Sequence, residues 1–287
     1  MMKSTGILSA LRTGAYLHHL QLLSEAPARL AEFYGSALDM RVEPLADESL
    51  LCRGPGRRVL FAKGRSKSLG FAAFACRDPQ GLEELLERAA SEGLEPAASP
   101  SPLFDDRAFS VRDPDGNVIV FGLAPQYSEE REAASRLHGP LQHLTLATRD
   151  PDALEAFYAG RLGFAVSDRV RNEKGEVNTC WTRSNHEHHT LAFFRSRHPG
   201  IDHHSYEAGE WTKIRDWADH FAAHNIKLIW GPGRHGPGNN LFVFIADTDG
   251  NWIEVSAELE VIHDRPTKDW PHEERTLNLW GHAIMRS

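Results

Sequence analysis

Hydrophobic positions along the chain change their period at regular intervals. Short alternating runs, which read as strands, give way to stretches with apolar residues every three or four positions, such as "DPDALEAFYAGRL" (150–162) and "EWTKIRDWADHFAAHN" (210–225), which read as amphipathic helices. Each helical stretch is followed by several strand-like runs bounded by Gly, Pro and Asp. Asp-Pro at 78–79 and 150–151 predicts two helix starts, with the aspartate as cap and the proline in the first turn. "DPDG" (113–116) and "DTDG" (247–250) predict tight turns into a final strand.

The pattern repeats. "LHHLQLLSEAPARLAEFYGSALDM" (17–40) matches "LQHLTLATRDPDALEAFYAGRLGF" (141–164) at a constant offset of 124, pairing His19 with His143 and Phe33-Tyr34 with Phe157-Tyr158. "DPDGNVIVF" (113–121) matches "DTDGNWIEV" (247–255) at an offset of 134. The predicted fold is therefore α+β, with two tandem domains, each a pair of βαβββ modules, at roughly 15–66, 68–125, 139–197 and 201–258. The expected division is a first domain at 1–126, a polar linker at 127–138, a second domain at 139–258 and a tail at 259–287.

Composition narrows the function. A formal net charge of −8 with scattered basic residues argues against nucleic acid or an anionic membrane as the main partner, and favours a small molecule. The apolar runs fall short of a membrane span, and the N-terminal apolar stretch is too short for a secretory leader, so the expectation is a cytoplasmic protein. Three widely spaced cysteines, Cys52, Cys76 and Cys180, suggest neither a zinc knuckle nor a redox pair. Six of the sixteen histidines crowd instead into 186–204, at positions 186, 188, 189, 198, 203 and 204.

Duplication offers a way to find a site, because packing positions survive in both copies while a site need not. Glu254, inside the apolar run "NWIEVS", stands where the first half has Val120, and His204 in "IDHHSYE" stands opposite Ala72. A carboxylate in an apolar strand is costly unless paired or bound to a cation, although strand glutamates also occur outward-facing or ion-paired. With His143 it makes a two-histidine, one-carboxylate set, His143, His204 and Glu254, the donor combination of a facial triad suited to Fe(II), with Mn(II) also possible. On this reading His203 points away from the site, and His186, His188 and His198 are surface or supporting groups.

These residues carry a resemblance. The chain resembles the vicinal oxygen chelate superfamily, with its glyoxalase/bleomycin resistance/extradiol dioxygenase fold, and within it the type I extradiol, ring-cleaving catechol dioxygenases nearest the homoprotocatechuate 2,3-dioxygenase-like group. Leu141-Gln142-His143, the second histidine of "HH" and the glutamate of "DTDGNWIE" match the ligand motifs. The resemblance implies Fe(II), a small aromatic diol and O2 as partners, and assembly into a homo-oligomer. It assigns His189 of "HHTLAFF" as the acid/base histidine and His235 of "GPGRHG" as a group that holds bound oxygen and substrate oxygens, tasks that suit imidazole.

Departures from the family pattern concern the substrate. Phe244 replaces a tyrosine, Trp230 replaces an arginine, and Thr276 and Leu277 stand where paired arginines are expected. Without guanidinium groups a substrate carboxylate has no bidentate partner. Trp181, Trp230 and Phe244 imply an aromatic-lined pocket for a less charged diol, and "DWPHEERTLNLWG" (269–281) implies a lid. The alternatives are a non-catalytic aromatic-binding or resistance protein on the same scaffold, or a glyoxalase-like isomerase or lyase, which wants a further carboxylate or glutamine ligand.

Overall fold

The computed structural model describes residues 9–125 and 137–285. Most of the expected linker therefore lies outside the described residues. After a short helix α1 (Ser9–Thr13), the first module comprises β1 (Tyr16–Ser24), α2 (Pro27–Ala37), β2 (Arg41–Pro44), β3 (Leu50–Gly54) and β4 (Arg57–Lys63). The second comprises β5 (Ser68–Cys76), α3 (Pro79–Ser91), β6 (Ala97–Ala98), β7 (Phe109–Arg112) and β8 (Val118–Leu123). The third comprises β9 (Leu141–Thr148), α4 (Pro151–Glu155), β10 (Ala165–Arg171), β11 (Val177–Arg183) and β12 (Leu191–Arg195). The fourth comprises β13 (Gly200–Glu207), α5 (Trp211–Ala223), β14 (Trp230–Arg234), β15 (Leu241–Ala246) and β16 (Trp252–Ala257), and the tail adds β17 (Lys268–Trp270) and α6 (Glu274–Leu277). The order is the βαβββ pattern four times over, as the periodicity predicts.

The helix starts form as their chemistry requires. Asp78 accepts from the Gly81 N–H at 2.8 Å and Asp150 from the Ala153 N–H at 3.1 Å, each with proline in the first turn. The stretch predicted as one helix over 150–162 departs from α geometry after Glu155 and continues as a π-helical turn at Ala156–Arg161. The wider turn lets the consecutive Phe157 and Tyr158 both point inward, where each is buried.

Each half builds one sheet, in which the first strands of its two modules run antiparallel side by side. The first sheet has the order β2-β3-β4-β1-β5-β8-β7-β6, and the second β14-β15-β16-β13-β9-β12-β11-β10-β17. In both, each central strand also pairs in parallel with the last strand of its own module. Residues from both halves join one apolar core.

Repeated motifs reach across the two halves in a reciprocal way. Tyr34 donates to Asp247 Oδ2 of "DTDG" at 3.2 Å, and Tyr158 donates to Asp113 Oδ2 of "DPDG" at 2.8 Å. Burial and the neighbouring aspartate hold each phenol far above its ordinary pKa, so both hydroxyls remain donors. The recurrence of Phe-Tyr and Asp-x-Asp-Gly thus has a packing cause: each half's tyrosine satisfies the other half's turn.

Candidate metal centre and active site

Register decides which side chains share a face. In the second sheet Ser205 lies beside both His143 on β9 and Glu254 on β16, while His203 lies beside Thr145 and Trp252. Cross-strand neighbours and residues two apart project to the same side, so His143, His203 and Glu254 converge. His204 pairs with Leu144 and Ile253, both in the apolar core, and projects to the opposite side. The candidate ligand expected at His204 is therefore corrected to His203.

His204 is instead a core residue. Its Nε2 lies 3.2 Å from the Tyr34 hydroxyl and its ring stacks on Tyr34, and burial drives its pKa down to about 3. Matching of His204 with Ala72 is right in register, since Ala73 pairs with Val120 as Ser205 pairs with Glu254. The true counterpart of His203 is one residue earlier, Phe71. Where the second half has His143, His203 and Glu254, the first has His19, Phe71 and Val120, and Phe71 and Val120 belong to a small apolar cluster with Leu51, Leu60 and Ala73.

The three donors fit a shared cation. Among the described residues, His143, His203 and Glu254 form the one group whose candidate ligand atoms all lie within 4.8 Å of one another, and all three are buried. His143 Nε2 lies 3.0 Å and His203 Nε2 3.3 Å from Glu254 Oε2. Cis ligands each about 2.1 Å from one ion stand roughly 3 Å apart. His203 Nδ1–H donates to Asp202 Oδ2 at 2.6 Å, and His143 Nδ1–H donates to Gln142 Oε1 at 3.3 Å. Both Nε2 lone pairs then face an ionised carboxylate, an arrangement that a cation between them satisfies.

Electrostatics agree in direction. Burial opposes the charged form of Glu254, but the surrounding imidazoles of His143, His203 and His235 outweigh it and hold the carboxyl well below its ordinary pKa. Burial lowers the pKa of His143. For His203 the carboxylates of Asp202 and Glu254 overcome burial and raise it. An ionised glutamate and a neutral His143 are already in ligating form.

Around this floor the sheet wraps a cavity of about 100 Å³. His189, His235, Trp181, Trp230 and Phe244 all line it, so the two candidate catalytic histidines and the three candidate pocket aromatics reach the same space. His189 lies with its ring 4.2 Å from that of His143. His235 Nδ1–H donates to the Leu277 carbonyl, leaving Nε2 3.7 Å from Glu254 Oε1. Trp230 and Phe244 stack at 5.2 Å, and Phe244 meets the edge of His203 at 5.2 Å. Thr276 and Leu277 line the cavity, and among the described residues no lysine or arginine does.

Sequence reasoning missed the supporting groups. Asn240 Nδ2 donates to Glu254 Oε1 at 3.1 Å, and its own Oδ1 is buried without a partner. Its signal was the asparagine pair Asn239-Asn240 before the apolar run "LFVFIA". Asp202 and Gln142 each immediately precede a candidate ligand, His203 and His143, and were equally available. His188, expected at the surface or in support, is fully buried beside His189.

The family model described as "Glyoxalase/Bleomycin resistance protein/Dioxygenase superfamily" matches residues 16–121 and 141–255. The chain belongs to this superfamily. Curated relatives within the superfamily include metapyrocatechase 2 of Cupriavidus necator, 25% identical over 252 residues, covering 77% of this chain and 74% of the relative. The iron-dependent extradiol dioxygenase of Rhodococcus jostii (strain RHA1) is 24% identical over 249 residues, covering 79% and 82%. Among solved structures, homoprotocatechuate 2,3-dioxygenase from Arthrobacter globiformis superposes with a TM-score of 0.80 at 20% identity, covering 98% of this chain and 93% of that one. The superfamily fold read from the sequence and the observed architecture agree.

Proposed function

We propose that this protein is an extradiol dioxygenase that opens the ring of a catechol-type diol with O2, using non-haem Fe(II) held by His143, His203 and Glu254. The observation that carries the reading is the convergence of two neutral-capable histidines and one ionised carboxylate at the base of an aromatic-walled cavity, with His189 and His235 on its wall. Curated relatives named as metapyrocatechases and extradiol dioxygenases support it. Three protein donors leave positions for substrate and oxygen, and the bound metal supplies a common coordination sphere that brings both reactants together.

The chain's own side chains do the rest. His189 takes and returns a proton of the diol. Burial, then the nearby His143 and His188 rings, hold its pKa well below the ordinary value, so it enters the reaction neutral and able to accept. His235 offers Nε2 toward the oxygen atoms, its ring fixed through Nδ1 and stacked on Phe242. Trp230, Phe244 and Trp181 form the aromatic lining of the cavity. The described tail lines the cavity through Pro271, Glu273 and Leu277, is tied down by β17 on β10 and by Trp230 Nε1–H donating to the His282 carbonyl at 3.1 Å, and on this reading serves as a lid. The first domain is structural and the second, 139–258, catalytic.

With Glu273 on the cavity wall and no cation there among the described residues, the substrate is an uncharged diol rather than one bearing a carboxylate. Mn(II) is the alternative metal. The reading includes a homo-oligomer, checked by sedimentation, and a cytoplasmic setting, with which the three buried free cysteines accord. The deciding experiment loads the protein anaerobically with Fe(II), adds a panel of catechols, admits air, and follows oxygen uptake and a coloured ring-opened product. Absence of uptake with every diol, together with unchanged metal content in Glu254→Ala, refutes the proposal.

A further inference from the structure

Behind His189, away from the metal ligands, lies a buried chain of polar groups that the reaction outlined above does not use. Asp168 on β10 is fully buried, and its carboxylate accepts from Arg265 Nη1 at 2.9 Å and Trp270 Nε1 at 2.8 Å. His188, also fully buried, brings Nε2 to 3.0 Å from Asp168 Oδ2, off the ideal N–H direction, and among the described residues Nε2 has no other partner. On the other side of the ring, His188 Nδ1 lies 2.9 Å from His189 Nδ1.

Protons can be placed along this chain. Burial favours the neutral carboxyl of Asp168, but His188, Trp270 and Arg265 outweigh it and hold the pKa below the ordinary value, so Asp168 is an anion. An anion 3.0 Å away requires a proton on His188 Nε2, because the other tautomer would set a lone pair against the carboxylate. With its proton on Nε2, the His188 ring presents a lone pair at Nδ1. Two ring nitrogens 2.9 Å apart need one proton between them, so His189 carries its proton on Nδ1 and keeps Nε2 as its basic atom.

The tail builds this arrangement. Arg265 is held by both carboxylate oxygens of Glu260, at 2.7 and 2.6 Å, and the Glu260 carbonyl accepts from the His188 backbone N–H at 2.8 Å. Gly238, at φ +74°, gives the His188 ring its room, since a Cβ there would stand 3.0 Å from His188 Nδ1.

We propose that Asp168 and His188 are positioning residues that fix the tautomer of His189, and that the C-terminal segment, through Arg265 and Trp270, holds Asp168 for this task. The proposal rests on the acid/base role given to His189 in the proposed function. It is tested first without turnover, by imidazole 15N–1H correlation spectra of the full-length 15N-histidine-labelled protein loaded with Zn(II), with His188 and His189 assigned by their variants. The expected spectrum has His188 protonated at Nε2 and His189 at Nδ1, with His189 losing that preference in Asp168→Asn; His189 protonated at Nε2 in the wild type overturns the proposal. In Fe(II)-loaded enzyme, Asp168→Asn and His188→Phe are expected to lower kcat roughly 10–100-fold at nearly unchanged KM and metal content. His188→Asn, which restores an acceptor near Nδ1, is expected to recover most of the loss; equal losses in His188→Asn and His188→Phe overturn the proposal, as does kcat within about twofold of wild type in both Asp168→Asn and His188→Phe. A wild type that opens no diol refutes the proposed function, while the spectra still decide the tautomer.

Discussion

His203→Leu and His204→Leu form a matched pair: adjacent residues, the same chemical change, opposite faces of β13. His204→Leu removes one bond, donated by Nε2–H to the Tyr34 hydroxyl oxygen at 3.2 Å, while Tyr34 keeps Asp247 as its acceptor. The expected cost is about 1 kcal/mol, reduced because the lost imidazole also had a buried Nδ1 without a partner. His203→Leu removes one of three metal donors. Altering the groups that merely support a ligand costs about 10–100-fold in metal affinity, so deleting the ligand itself costs more than about 100-fold, or roughly 2.7 kcal/mol. At a metal concentration about 100 times the wild-type Kd, binding stabilises the wild type by about 2.7 kcal/mol and His203→Leu by less than about 0.4 kcal/mol. For a chain of this size that is a rise in Tm of roughly 5 °C or more against almost none. Thermal melts with and without Fe(II) under anaerobic conditions, with metal content measured on the same samples, read the difference. His204→Leu should follow the wild type. If His204→Leu lost its metal response while His203→Leu kept it, the register argument would be wrong.

Further outcomes follow from the same geometry. Leu277→Arg places a guanidinium on the cavity wall while leaving the backbone carbonyl that His235 uses, and should shift the kcat/KM ratio toward carboxylated catechols by about tenfold or more, as a charged hydrogen bond is worth about 1.5–3 kcal/mol; an unchanged ratio in a substrate panel refutes the pocket assignment. Glu207, half-buried and accepting from Gln142 and the Gly209 N–H, has its pKa raised by desolvation from 4.5 to about 7. Because the folded state holds this proton more tightly than the unfolded one, wild-type stability falls as pH rises from about 4.5 to about 7. Glu207→Gln should therefore gain ~1–3 kcal/mol over wild type above pH 7 relative to pH 4.5, in urea melts; a pH-independent difference contradicts the sign. Phe71→Ala, at a fully packed position of the first half, should cost about 3–5 kcal/mol of stability in denaturant titration yet leave the metal stoichiometry of the second half unchanged.

Much of this molecule was legible in its sequence. Periodicity and the repeat settled the four modules because the period of apolar positions is a local property of each element, and Asp78 and Asp150 cap helices through contacts three residues away. Glu254 was legible because an acidic residue inside an apolar strand is anomalous in any fold that buries the strand. Tertiary structure alone decided between His203 and His204. Alternation states that they face opposite sides, but which side holds the site depends on pairing with β9 and β16, including the irregularity in the register between Ile201 and His203. Only the folded chain, likewise, brings Asp168 and His188 together behind His189, since a contact between a strand, a loop and a tail some hundred residues apart leaves no local period to read.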